Sequence, residues 1–114
     1  MNDDTRAAIE RFHDALNDHD MDALDRAISD DCVFEDTTPP DGRRHAGRAA
    51  MLAACRQFLA DSPNARFEIE DLLTAGDRAV VRWRYSWGDG HVRGVDLIRV
   101  RDGRVSESLA YVKG

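Results

Sequence analysis

The stretch Val81–Val112, VRWRYSWGDGHVRGVDLIRVRDGRVSESLAYV, decides the fold. Val81, Trp83, Tyr85 and Trp87 alternate with Arg82, Arg84 and Ser86, the period-two signature of a strand with one face on a core. Gly88-Asp89-Gly90 turns the chain, His91–Val100 forms a second strand, Asp102-Gly103 makes a two-residue hairpin turn, and Val105–Val112 returns. Within the middle strand Asp96 shares a face with Gly94, Ile98 and Val100, while Arg93 and Arg99 fall elsewhere. That face is otherwise apolar, so Asp96 points towards a core or a cavity. An ionised carboxylate buried without a partner is costly, and it escapes by pairing, hydrogen bonding or protonation.

Upstream of this ladder, Phe67 and Ile69 lead a further strand to Ala75, closed by a Gly76-Asp77 turn. Ala46–Ala60 carries Met51, Leu52, Cys55, Phe58 and Leu59 at helical spacing, and Asp61-Ser62-Pro63 stops it. Cys32–Asp36 reads as a strand on which Phe34 and Asp36 share a face. Thr37–Gly42 must then be a loop, because two prolines and a glycine cannot sit inside a ladder. Asp3–Asn17 is an amphipathic helix built on Ile9, Phe12 and Leu16, with Asp3, Asp4 and Thr5 offering a cap and favourable first-turn charge. Asn17-Asp18-His19 breaks it, and Asp20 caps a short second helix through Met21, Leu24, Ala27 and Ile28. The order α-α-β-α-β-β-β-β describes an α+β domain, with N-terminal helices packed on a curved, mostly antiparallel sheet.

The chain of 114 residues fits one domain, 1–114, with no internal repeat. Twenty-two acidic against 16 basic residues give a net charge of −6, which argues against nonspecific binding of nucleic acid. No apolar run reaches membrane-spanning length, and the N-terminal MNDDTRAAIE is too acidic for a signal peptide. A cytoplasmic location is expected. Cys32 and Cys55 read as small buried hydrophobes rather than a disulfide or zinc framework. The four histidines, His13, His19, His45 and His91, show no metal-ligand spacing and read as solvated. His45, between the Pro-Pro loop and the third helix, is the one placed near Asp36, where the other reading is a proton partner. No phosphate-binding glycine loop or nucleophilic triad is present, so no metal and no cofactor are implied.

ERFHDALNDHDMDAL on the first helices, DDCVFED on the first strand, HAGRAAM at the third helix and VDLIRVRDGRVSESLAYV at the end occur in a telling order. Together they resemble the cone-shaped fold of the nuclear transport factor 2 superfamily, which includes Δ5-3-ketosteroid isomerase and the SnoaL-like polyketide cyclases. The resemblance covers essentially the whole chain. It implies a ligand cavity between sheet and helices and a homodimer formed through the sheet. It also implies that Asp36, in Phe-Glu-Asp, matches the isomerase base, and that Asp96, in VDLIRV, matches the protonated aspartate facing the oxyanion. The logic of two carboxyls set apart by their environments belongs to the ketosteroid isomerase itself and is carried over with the resemblance. The oxyanion-hole tyrosine of that enzyme falls here on Phe12, in Arg11-Phe12-His13-Asp14-Ala15-Leu16-Asn17. Phe12 cannot donate, and losing such a donor typically costs a few kcal/mol of transition-state stabilisation, about 2.7–4. His13 lies about 100° around the helix from it. Tyr85 or Tyr111 could supply a hydroxyl from the sheet. An Asp-Arg-Asp arrangement like that of limonene epoxide hydrolase is poorly matched, because Arg93 and Asp96 face opposite sides of a strand.

Each residue also has a structural reading. Asp36 could simply brace the Thr-Thr-Pro-Pro turn, and Asp96 could pair with Arg82 or Arg84 across the sheet. A gapless match to the isomerase would turn Val80, Arg82 and Arg84 inward, but binary pattern favours Trp83 and Tyr85 inside. The expectation is a small-molecule enzyme of isomerase or cyclase type, acting on a small hydrophobic carbonyl ligand. Asp36 and Asp96 would be its catalytic residues, with Phe12, Phe34, His45, Phe58, Trp83, Tyr85 and Ile98 around the substrate. The alternative is a non-catalytic ligand-binding or dimeric scaffold module of the same fold.

Overall fold

The alternating segments pair in sequence. In the computed structural model, which describes residues 2–113, β3 (Arg66–Ala75), β4 (Arg78–Trp87), β5 (Gly90–Arg101) and β6 (Arg104–Val112) form an antiparallel meander. β6 then pairs in parallel with β1 (Ile28–Glu35), and β1 pairs antiparallel with the short β2 (Arg44–Ala46). The sheet order is β2-β1-β6-β5-β4-β3. α1 (Asn2–Asn17), α2 (Met21–Ala27) and α3 (Arg48–Asp61) complete the expected α+β architecture.

The turn chemistry sets these registers. Asp102 (φ 53°) and Gly103 (φ 74°) both occupy the left-handed region, as a two-residue hairpin of the twisted kind requires. In β3 the register slips between Ile69 and Asp71, leaving Glu70 as an extra residue. This bulge bends the strand and reverses its facing: Leu72 is buried, whereas Leu73 is 60% exposed on the outer side. β3 holds α1 through backbone groups. Asn17 Nδ2 donates to the Phe67 carbonyl at 2.9 Å, and the Phe67 N–H donates to Asn17 Oδ1 at 2.8 Å. At the other end of α1, Thr5 Oγ1 donates to the Gly76 carbonyl at 2.7 Å. Thr5 therefore ties helix to turn rather than capping; the side chain of Asp3, offered as a cap, lies outside the described residues. Asp20 caps α2, accepting from the Ala23 N–H at 3.0 Å.

Three local expectations need correction. Ile28 begins β1 instead of ending α2, because its buried side chain serves the sheet and its backbone is extended. Arg44, His45 and Ala46 form β2, which three residues with no apolar alternation do not announce. α3 consequently starts at Arg48, after Gly47 with φ 92°. Arg48 fastens that start, donating to the Ile28 carbonyl and to the Asp25 and Asp30 carboxylates at 2.9 Å. The core between the helices and the inner sheet face is formed by Ile9, Phe12 and Leu16 of α1, Leu24, Met51 and Cys55, against Cys32, Val81, Ile98 and Val105.

Candidate functional site

The inner face of β5 carries Asp96, Ile98 and Val100, all buried as the alternation predicts. Asp96 is 9% exposed, and its partner is neither Arg82 nor Arg84. Arg82 points outward towards Asp71 at 3.8 Å, while the indole Nε1 of Trp83 donates to Asp96 Oδ1 at 3.0 Å. Trp83 stands opposite Gly94, so the hydrogen bond runs diagonally across the two strands. Gly94 makes this possible: a Cβ there would lie 2.4 Å from Trp83 Cζ2 and 2.3 Å from the Tyr111 carbonyl oxygen. Desolvation pushes the Asp96 pKa up to about 7, and the single indole donor only partly opposes it. Near neutral pH this carboxyl can exist as an acid.

An aromatic cluster continues from Trp83. Phe67 packs edge-on to Trp83 (5.5 Å between centroids) and tilted against Tyr85 (4.7 Å), and Phe58 of α3 reaches Tyr85 at 5.2 Å. Trp83 and Tyr85 therefore face inward, but Trp87 at the end of β4 is 43% exposed. Tyr111 is 55% exposed, which removes it as an interior hydroxyl. Tyr85 remains, its hydroxyl buried without a hydrogen-bond partner.

His13 corrects the expectation of a solvated residue. It is buried in the stripe of α1, one turn after Ile9, with its ring edge-on to Phe12 and Phe67 and both ring nitrogens unpartnered. Burial lowers its pKa to about 4, so it is neutral in the fold. The signal that could have found it is its spacing of four from Ile9. Phe12, beside it, is core.

A second cluster lies at the end of β1. Asp36 Oδ1 accepts from the N–H groups of Thr38 (3.0 Å) and Arg43 (2.7 Å), and its Oδ2 lies 3.1 Å from His45 Nε2. The His45 ring stacks on Phe34, its partner in the β1–β2 ladder, at 5.7 Å and 21°. Desolvation acts to raise the Asp36 pKa, but the hydrogen bonds from Arg43, Thr38 and His45 outweigh it and hold the carboxyl well below the usual range. Such a carboxylate is a firm anchor and a weak base.

Register relates the two clusters. Glu35 pairs with Leu109 and Asp96 with Ala110, so Asp36, one residue further on, lies level with Asp96 across β6. Two strand spacings separate their backbones by about 10 Å. The structure joins Phe58, Tyr85 and Trp83 in one aromatic cluster through Phe67, of which Trp83 reaches Asp96, and joins Phe34 and His45 to Asp36; Phe12 and Ile98 are packed into the core. Among the described residues no group of three or more His, Cys, Asp or Glu is placed to hold a metal ion, and no helix is long and apolar enough to cross a membrane.

The SnoaL-like domain profile matches residues 9–108 of this sequence. The chain belongs to the SnoaL-like domain family. A nuclear transport factor 2-like protein of unknown function from Mesorhizobium loti is 47% identical to this SnoaL-like chain, over 99% of it and 93% of the relative, with a TM-score of 0.87. A candidate ketosteroid isomerase from Kribbella flavida shares 26% identity over 99% and 80% of the two chains, TM-score 0.83. A candidate polyketide cyclase from Sinorhizobium meliloti shares 25% over 91% and 93%, TM-score 0.81. Among proteins of curated function, none matches. The SnoaL-like chain thus has the nuclear transport factor 2-like fold that its sequence resembles, and relatives of this fold include proteins described as isomerases, cyclases and an epoxide hydrolase.

Proposed function

We propose that this chain is a small-molecule enzyme of isomerase or cyclase type, with Asp96 as the acid that serves a carbonyl oxygen of a hydrophobic ligand. The observation that carries the reading is the buried Asp96 carboxyl, hydrogen-bonded to Trp83 and raised by burial to a pKa of about 7. A neutral carboxyl can donate to an oxygen that gains charge as a proton leaves the adjacent carbon. Phe58, Phe67, Trp83 and Tyr85 would form the walls, and the unpartnered Tyr85 hydroxyl and His13 nitrogens would supply further polar contacts. The base would come from the Asp36–His45 end of the sheet.

The test is turnover of a panel of β,γ-unsaturated ketones by wild type and Asp96→Asn. The reading expects wild-type isomerisation and a loss of about 100-fold or more in the variant. Two inert proteins, or two equally active ones, would overturn it.

A non-catalytic ligand-binding or scaffold module is the second reading, and one observation favours it: Phe12 stands where a donor would be expected, packed at 5% exposure. Both readings accommodate a homodimer through the outer sheet face. There Leu73, Val80, Leu97 and Leu109 form one continuous row across four strands, lining a groove of about 300 Å³.

A further inference from the structure

His45 and Asp36 form a polar pair that the acid role of Asp96 leaves unused. Asp36 is fixed by two backbone N–H groups and His45 by stacking on Phe34, so the 3.1 Å contact between them joins two immobilised side chains. With the anionic carboxylate accepting, Nε2 carries the ring hydrogen and Nδ1 keeps its lone pair. The two side chains are 23% and 26% exposed, within reach of a ligand, and Asp96 lies deeper at 9%. His45 stands opposite Phe34 in β1, and Phe34 stands beside the buried Ser108 of β6, so the pair belongs to the same inner face as Asp96. The neighbouring Arg44 is spent on Glu35 at 2.9 Å on the other side.

We propose that His45 is the base of the site and that Asp36 is its positioning residue, not the base itself. The inference rests on the acid reading of Asp96. Nδ1 of His45 takes the proton from the carbon α to the ligand carbonyl. The C–H electron pair becomes the enol double bond, and the displaced carbonyl electrons take the Asp96 proton. The imidazolium, steadied by Asp36, returns its proton to the γ carbon as the oxygen returns its own to Asp96. No oxidant or co-reactant is needed. Asp36 acting alone would be the weaker base, because three hydrogen bonds already stabilise its carboxylate.

The first test is the tautomer of His45 in long-range ¹H–¹⁵N spectra of the whole chain. Wild type should be Nε2–H, and Asp36→Asn, whose amide can donate, should mix or reverse the tautomers. An Nδ1–H wild type, or an unchanged tautomer in Asp36→Asn, overturns the proposal whatever the activity. The second test is isomerisation of a small cyclic β,γ-unsaturated ketone. His45→Gln and Asp36→Asn should each lose about 100-fold or more, and the double variant should lose little beyond either single one. If Asp36→Asn is inactive while His45→Gln turns over, Asp36 is the base and the proposal fails. If both keep wild-type rates while Asp96→Asn does not, the dyad fails and the acid stands. The reverse pattern sinks the acid and leaves the dyad.

Discussion

Trp83 and Asp96 are diagonal partners across β4 and β5, and the indole reaches the carboxyl only by lying over Gly94, a residue without a side chain. The geometry makes Gly94 a silent member of the site. In Gly94→Ala the new methyl would meet both the Trp83 ring and the Tyr111 carbonyl, and the backbone contact cannot rotate away. Overpacking of this kind costs about 1–3 kcal/mol. Urea unfolding should show that loss, together with altered Trp83 fluorescence. A variant with wild-type stability and fluorescence would mean that the indole does not rest on Gly94.

Asp96 makes stability depend on pH in a definite direction. Its pKa is raised from 3.8 to about 7 by burial, so the folded state holds this proton more tightly than the unfolded chain. The stabilising contribution is complete below pH 3.8 and is lost as pH rises towards 7. A difference of about three pKa units corresponds to roughly 4 kcal/mol. Asp96→Asn cannot ionise. Between pH 4 and pH 8 its unfolding free energy should therefore gain on wild type by several kcal/mol, measured by urea titration at fixed ionic strength. Parallel curves would show that Asp96 is not buried as an acid.

His13 acts in the opposite direction. Burial lowers its pKa from 6.5 to about 4, so its contribution is complete above pH 6.5 and is lost as pH falls towards 4. The size is on the order of 3 kcal/mol. Across that window the folded protein keeps a proton on Asp96 that the unfolded chain releases, and excludes from His13 one that the unfolded chain binds. The two effects nearly cancel in wild type. His13→Leu should expose the Asp96 dependence alone, a stability that falls steadily from pH 4 to pH 7. A pH profile unchanged by the substitution would place His13 in water.

The strands of this fold are legible because Val81, Trp83 and Tyr85, and then Asp96, Ile98 and Val100, alternate strictly with residues that face outward. β2 and the first four residues of β1 are not legible, since Ile28 suits either a helix stripe or a strand, Ser29-Asp30-Asp31 reads as the polar end of a helix, and Arg44-His45-Ala46 has no pattern at all. The site divides in the same way. Asp96 stands out as a charge on an apolar face, and His45 as a neighbour of Asp36. The Trp83 hydrogen bond does not stand out, because it depends on a diagonal contact and on the missing side chain of Gly94. His13 was hidden by chemistry: a histidine on a helix reads as polar, and only its spacing from Ile9 betrays that it faces the core.

The outer face supplies the remaining prediction. Leu73 is 60% exposed, Leu97 40% and Val80 36%, and cross-strand register makes them immediate neighbours on the meander. Such a row left in water favours association, since each buried Å² of apolar surface contributes about 25 cal/mol. A homodimer through this face should run at twice the chain mass in size-exclusion chromatography with light scattering. Leu97→Asp would set a carboxylate against its own copy, or against the partner's leucines, at the centre of the contact. Because Leu97 points away from the core, the substitution should leave the circular dichroism spectrum intact while shifting the protein to monomer. A wild-type monomer, or a Leu97→Asp dimer of undiminished affinity, would remove this face as the interface.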